Sequence, residues 1–257
     1  MYPARYLSQP WLVHTRLDLV FPQTIATAIV FGPARHPVVS VLRHHLGFWC
    51  NMRAKLAIID SGGANISSVM YALKRLGIEA VFASDVQTIR SADRVILPGV
   101  GAAGAAMARL HELGLVECIR ALQQPVLGIC LGMQLLFEQS MESFAGGRGV
   151  DCLGIMPGTL EKLQVSPGVR VPHMGWNTTT ATRDSDLLHG LAANPWFYFV
   201  HSYRAPINEN TLATCDHGET LAAIVQKDNF YGAQFHPERS SSDGAKLLSN
   251  FMNEVNP

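Results

Sequence analysis

Short apolar runs alternate with periodic helical stretches over much of the chain, beginning near residue 55. Lys55-Leu-Ala-Ile-Ile-Asp60 is an apolar run of the kind that forms a strand buried on both faces. A turn follows at Ser61-Gly-Gly-Ala-Asn65, and the spacing then predicts a helix over 66–76 that stops at Gly77. Ala80–Ala83 and Arg94–Leu97 read as the next strands, residues 102–122 as helix, and Pro125–Ile129 as another buried strand. Beyond about Leu153 the segments shorten. Strand candidates there are Thr159–Leu163, Trp196–Val200, Leu221–Val225 and Tyr231–Phe235, followed by a final helix over 243–253. Strands alternating with helices predict an α/β fold with a mostly parallel central sheet and helices on both of its faces.

The first 51 residues show neither periodicity. Pro3, Pro10, Pro22, Pro33 and Pro37 interrupt them, and their one apolar stretch, Thr24–Phe31, is short. They hold four Arg (Arg5, Arg16, Arg35, Arg43), one acid (Asp18) and no Lys, so the rest carries 20 − 4 = 16 basic and 20 − 1 = 19 acidic residues. The expectation is a non-domain extension over 1–51, disordered or a misassigned start, and one domain over 52–257. The extension lacks the charged start, continuous apolar run and cleavage site of a secretion signal.

Over the whole chain Lys+Arg and Asp+Glu both total 20, and no basic cluster advertises a nucleic acid partner. No apolar run reaches the roughly 18 residues of a membrane span. Five cysteines (Cys50, Cys118, Cys130, Cys152, Cys215) are dispersed without metal-ligand spacing, which reads as free thiols in a reducing compartment, the cytoplasm by default.

One of those cysteines stands apart. Gly128-Ile-Cys130-Leu-Gly132 follows a buried strand and precedes the helical run Met133–Glu138, the layout of a nucleophile elbow with cysteine in place of serine. Glycines on either side permit the tight strand-to-helix turn. The helix start favours a thiolate and offers free N–H groups, that of Leu131 first, to an oxyanion. A thiol nucleophile needs a base and the base needs an orienting group. Phe235-His-Pro-Glu-Arg239 supplies both as His236 and Glu238, two apart at a strand end and so able to project to one side. A second oxyanion donor is expected from Pro98-Gly-Val-Gly101, at Val100 and Gly101, where two glycines allow a peptide to reorient. His173 and His201, beside aromatic and apolar residues, read as hydrogen-bonded structural histidines.

With these strings assembled, the chain resembles the class I (triad-type) glutamine amidotransferases, through Gly128–Gln134 and Phe235–Glu238. Pro98–Gly101, Pro172-His-Met-Gly-Trp-Asn177 and Tyr198-Phe-Val-His-Ser-Tyr203 are similar to one branch, the glutaminase subunits of imidazole glycerol phosphate synthase. The resemblance runs from about Lys55 to Phe251. It implies that Cys130 attacks the side-chain amide of glutamine while His236 relays protons and Glu238 orients it. It also implies that Gln134, Ser202 and Tyr203 hold the substrate, without metal or organic cofactor. Ammonia would pass to a (β/α)8-barrel cyclase subunit, with Asn65, Met174, Trp176 and Arg239 at that interface and Arg239 helping to close the ammonia exit. Three rivals stay open at this point: the glutaminase of another amidotransferase pathway, a catalytically silent regulatory subunit, and a free-standing cysteine hydrolase.

Overall fold

The computed structural model describes residues 55–62, 66–142 and 149–256. The expected extension over 1–51, together with Cys50, Met52 and Asn65, lies outside the described residues.

In chain order the first half runs Leu56–Ile59 (β1), Ile66–Arg75 (α1), Ala80–Ala83 (β2), Val86–Arg90 (α2) and Arg94–Gly99 (β3). It continues with Ala103–Glu112 (α3), Val116–Arg120 (α4), Val126–Cys130 (β4) and Leu131–Leu135 (α5). The second half is richer in strands. Phe137–Ser140 (β5), Val150–Asp151 (β6), Met156–Lys162 (β7), His173–Thr178 (β8), Thr180–Ala181 (β9) and Trp196–His201 (β10) come first. Tyr203–Arg204 (β11), Thr211–Asp216 (β12), Thr220–Lys227 (β13), Phe230–Ala233 (β14) and Ser241–Asn253 (α6) complete it.

The main sheet has eight strands in the order β2-β1-β3-β4-β14-β13-β12-β9. From β2 to β14 the pairing is parallel, and from β14 to β9 it is antiparallel. Alternating side chains divide the core into two layers, as the period of a strand requires. Ala57, Ile59, Val95, Leu97 and Val126 face one cluster, shared with Ile89 of α2, Leu110 of α3, Ile119 of α4 and Met133 of α5. Leu56, Ile58, Ile96, Leu127 and Ile129 face the other, shared with Leu73 of α1 and Leu248 and Phe251 of α6. Helices therefore cover both faces, and the strands between them read as unbroken apolar runs because neither face meets water. A four-stranded sheet (β11-β7-β5-β6) and a two-stranded one (β10-β8) adjoin it. No helix among the described residues is long and apolar enough to cross a membrane.

Two local expectations are corrected. Residues 102–122 are two helices, broken where Gly114 takes φ 64°. The run expected to stay helical to Glu138 ends at Leu135, because Phe137 is drawn into a ladder with Met156 of β7 and is fully buried there. Tertiary pairing outweighs helical periodicity over so short a segment.

Candidate active site

The register of β3 on β4 sets Gly99 opposite Cys130, so the Pro98–Gly101 segment emerges beside the end of β4. This is the carboxyl end of the parallel strands, where open α/β sheets hold their ligands. Cys130 ends β4 and caps α5, with φ 53° and ψ −110°, a conformation that L-residues avoid. The flanking glycines explain why the chain can turn there. A Cβ on Gly132 would collide with the carbonyl oxygen of Leu97, and one on Gly128 would lie 2.6 Å from the carbonyl oxygen of Gly132. Strand and helix thus press together on a glycine face, and the turn projects Cys130 out of the sheet. Leu131 opens the first turn of α5, where an N–H has no intrahelical partner.

The Cys130 thiol donates to the carbonyl of Val200 at 3.8 Å, and the Gln234 amide nitrogen lies 4.0 Å from its sulfur. Gln234 in turn accepts from Gln134 Nε2 at 2.9 Å, and the same nitrogen donates to the Tyr203 carbonyl at 3.1 Å. Gln134 is therefore held rigidly one helical turn after Cys130.

His236 donates from Nδ1 to Glu238 Oε1 at 2.8 Å. What brings the two together differs from the expected strand end. β14 stops at Ala233, and Pro237–Arg239 is a 3-10 turn that folds Glu238 back under the imidazole. The His236 backbone N–H bonds the Tyr198 carbonyl at 2.9 Å, and Ser240 Oγ donates to the His236 carbonyl at 2.6 Å. With Nδ1 committed to a carboxylate, Nε2 is the nitrogen left to exchange a proton, and Cys130 is its neighbour in the site. Burial pushes the imidazole down, but the neighbouring Cys130 and Glu238 outweigh it and push His236 up to about 10. Cys130 contributes most to the rise and Glu238, 2.8 Å away, comes next, its carboxylate stabilising the positive ring. β10 ties both halves of the site together, since its Tyr198 carbonyl holds His236 and its Val200 carbonyl meets Cys130.

A cavity of about 350 Å³ opens over Cys130. Its wall includes the expected oxyanion residues Val100, Gly101 and Leu131, the expected substrate residues Gln134, Ser202 and Tyr203, and His236. Glu238 does not line it and lies behind His236, its side chain almost fully buried. Gly101 adopts φ 93°. Sequence reading missed Glu142, Pro172, Val200 and Gln234. Glu142 lines the cavity and accepts from the Ala103 N–H at 2.5 Å, tying the start of α3 to the site, and no local motif signals it. Gln234 stands two residues before His236, within a run read only as strand.

Of the expected interface residues, Met174 and Trp176 stand out from β8 with 65% and 50% of their surface exposed. The exposed Arg239 sits over the Tyr198 ring at 5.7 Å, and Trp176 meets the same ring edge-on at 6.1 Å. Asn65 is outside the described residues. Among the described residues no group of three or more His, Cys, Asp or Glu could hold a metal ion. Cys118, Cys130, Cys152 and Cys215 are free thiols, and burial pushes Cys152 and Cys215 up to about 12, which keeps both protonated and inert.

A family profile described as glutamine amidotransferase class-I matches residues 57–255. The subunit HisH of imidazole glycerol phosphate synthase from Xanthomonas campestris pv. campestris (strain 8004) is 55% identical over 197 residues, 77% of this chain and 96% of that protein. The HisH subunit of Xylella fastidiosa (strain Temecula1) is 51% identical over 198 residues, again 77% of this chain and 96% of that protein. Among solved structures, PurLQS from Thermotoga maritima superposes with a TM-score of 0.60 at 19% identity, covering 80% of this chain and 100% of that one. A crystal structure of a glutamine amidotransferase gives a TM-score of 0.58 at 20% identity, covering 77% and 96%. The likeness to these structures extends to the fold, and the sequence match spans the elbow, the His236–Glu238 turn and the cavity between them: the chain belongs to the class-I glutamine amidotransferases.

Proposed function

We propose that the chain is the glutaminase subunit of an imidazole glycerol phosphate synthase and that its catalytic unit is residues 52–257. In this reading Cys130 Sγ attacks the side-chain amide carbon of glutamine. The tetrahedral oxyanion is held by the Leu131 N–H and by the peptide at Val100–Gly101. His236, oriented by Glu238, carries the thiol proton to the departing ammonia. Water then attacks the thioester with His236 as base, glutamate leaves and the thiol is restored. The observation that carries the reading is the convergence of Cys130, His236, Gln134, Ser202 and Tyr203 on one cavity. Its support for the particular pathway is the name of relatives at 55% and 51% identity.

The ammonia acceptor is a (β/α)8-barrel cyclase subunit docked over Met174, Trp176, Arg239 and Asn65, and the setting is the cytoplasm. Exposed aromatic, Met and Arg side chains are favoured at such contacts, and β8 presents Met174 and Trp176 while the 3-10 turn presents Arg239. The reaction requires no metal or organic cofactor. The test is to mix the full chain with the barrel cyclase and its nucleotide substrate and to follow glutamine hydrolysis. A stoichiometric complex with strongly stimulated turnover is the expected result. Full activity of the chain alone, or no complex, contradicts the proposal.

A further inference from the structure

Two buried histidines that the triad does not use form a directed hydrogen-bond chain into the cavity wall. His201 Nδ1 lies 2.8 Å from the Tyr203 carbonyl, an atom that can only accept, so His201 carries its proton on Nδ1. Its Nε2 is then an acceptor, and the nitrogen 3.0 Å away, His173 Nδ1, is the donor. His173 Nε2 is left to accept, and Asn177 Nδ2 meets it at 3.2 Å while also donating to the Asp216 carbonyl at 2.9 Å. Every tautomer in the chain follows from its two ends, a backbone carbonyl and an amide. The same Tyr203 carbonyl receives Gln134 Nε2, so two side-chain donors converge on one oxygen in the cavity wall.

We propose that His173 is a positioning residue for the glutamine site: by donating to Nε2 of His201 it holds that ring in place in the tautomer the Tyr203 carbonyl requires, and His201 then holds the Tyr203 carbonyl on which Gln134 docks. The proposal rests on reading the cavity as a glutamine site. The strand pairing gives it a second basis. His173 lies opposite His201 and Met174 opposite Val200, whose carbonyl receives the Cys130 thiol. The exposed strand β8 is thus one ladder away from both the nucleophile and the substrate wall. His173 is clamped in place, stacked on Phe199 at 4.6 Å and on His217 at 4.0 Å. Burial first, and then His201 and His217, pull His173 down to about 3. Burial and the nearby His217 and His236 pull His201 down to about 4 against the opposing bond to Tyr203. Both rings therefore stay neutral, as the chain of donors and acceptors requires.

The experiment uses the full chain in complex with the cyclase. Nitrogen-15 NMR of the wild-type imidazoles should show His201 as the Nδ1–H tautomer from pH 5 to pH 9. His173→Phe keeps the stacked ring but removes the donor, and should raise KM for glutamine about tenfold while kcat stays within about threefold. His173→Asn, which restores an N–H near the lost Nδ1, should recover most of the affinity. An Nε2–H or protonated His201 at pH 6 in the wild type overturns the proposal, as does an unchanged KM in His173→Phe. Loss of kcat to the same extent in both variants would make the role merely structural and also overturns it. If His173→Phe does not fold, the wild-type tautomer and the KM of His173→Asn decide. Absence of glutamine hydrolysis in the wild-type complex would instead reject the glutamine-site reading, and the His201 nitrogen-15 shifts of His173→Phe against wild type still judge the link from His173 to His201, unchanged shifts overturning it.

Discussion

The backbone of Cys130 makes a prediction in which glycine stabilises relative to alanine, the reverse of the usual order. At φ 53° and ψ −110° a side chain is disfavoured, and such a residue costs on the order of 1–3 kcal/mol. Cys130→Ala removes the sulfur and keeps the strain, since alanine still carries a Cβ. Cys130→Gly removes both. Against the relief stands the greater backbone freedom that glycine has in the unfolded chain, about 0.5–1 kcal/mol. At the middle of the two ranges the difference leaves Cys130→Gly about 1 kcal/mol more stable than Cys130→Ala, a shift of roughly 2–4 °C for a domain of this size. Comparing the two variants cancels the loss of the buried sulfur. Urea or thermal unfolding of the full chain, read by circular dichroism without glutamine, measures it. Had Cys130 been an ordinary strand or helix residue, glycine would be the weaker of the two. If Cys130→Gly proves equal to or less stable than Cys130→Ala, the strained-elbow account is refuted.

Glu238→Gln should leave the fold intact but cut kcat by roughly 10²–10⁴, because His236 loses the partner that fixes its tautomer and supports its charge; activity within a few fold of wild type would remove Glu238 from the triad. Trp176→Ala should weaken cyclase binding by about 2 kcal/mol, roughly thirtyfold, with little change in the melting temperature of the free chain; titration calorimetry against the cyclase checks the first and a thermal scan of the free chain the second. The histidine pair predicts acid sensitivity. His173 and His201 titrate at about 3 and about 4 in the fold against 6.5 unfolded, so the unfolded chain takes up protons first. Their contribution is complete above pH 6.5 and is lost as pH falls towards 4 for His201 and towards 3 for His173, at up to roughly 1.4 kcal/mol per pH unit for each ring. Urea unfolding free energies that stay flat between pH 6.5 and 5 would contradict it.

The elements most legible in the sequence are those whose chemistry is local. Gly128–Gly132 is readable because the close approach of β4 and α5 forces glycine at two fixed positions around Cys130. The parallel half of the sheet is readable because β1, β3 and β4 are sandwiched between helices and so appear as apolar runs. The second half is harder. Phe137 belongs to a strand only because Met156 pairs with it, and nothing within five residues announces that partner. β8 and β10 make a ladder of their own whose outward positions carry Met174, Trp176 and Trp196, so the alternation of apolar and polar side chains is lost. At the candidate site, the pairing of His236 with Glu238 was legible but not the 3-10 turn that joins them. Glu142 reaches the cavity and Gln234 reaches the Cys130 sulfur through tertiary contacts, to which a single sequence is blind. The ordering of His173, His201 and Tyr203 is likewise a product of pairing across two strands.

The central claim, that glutamine is split at Cys130 and the ammonia used by the partner, is most directly tested by giving one complex two nitrogen sources. The full chain, wild type or Cys130→Ala, is assembled with the cyclase, and product formation is followed with glutamine or with ammonium salt. The account predicts that Cys130→Ala abolishes the glutamine-dependent reaction and leaves the ammonium-dependent one close to wild type. Appreciable glutamine-dependent synthesis in Cys130→Ala would contradict it.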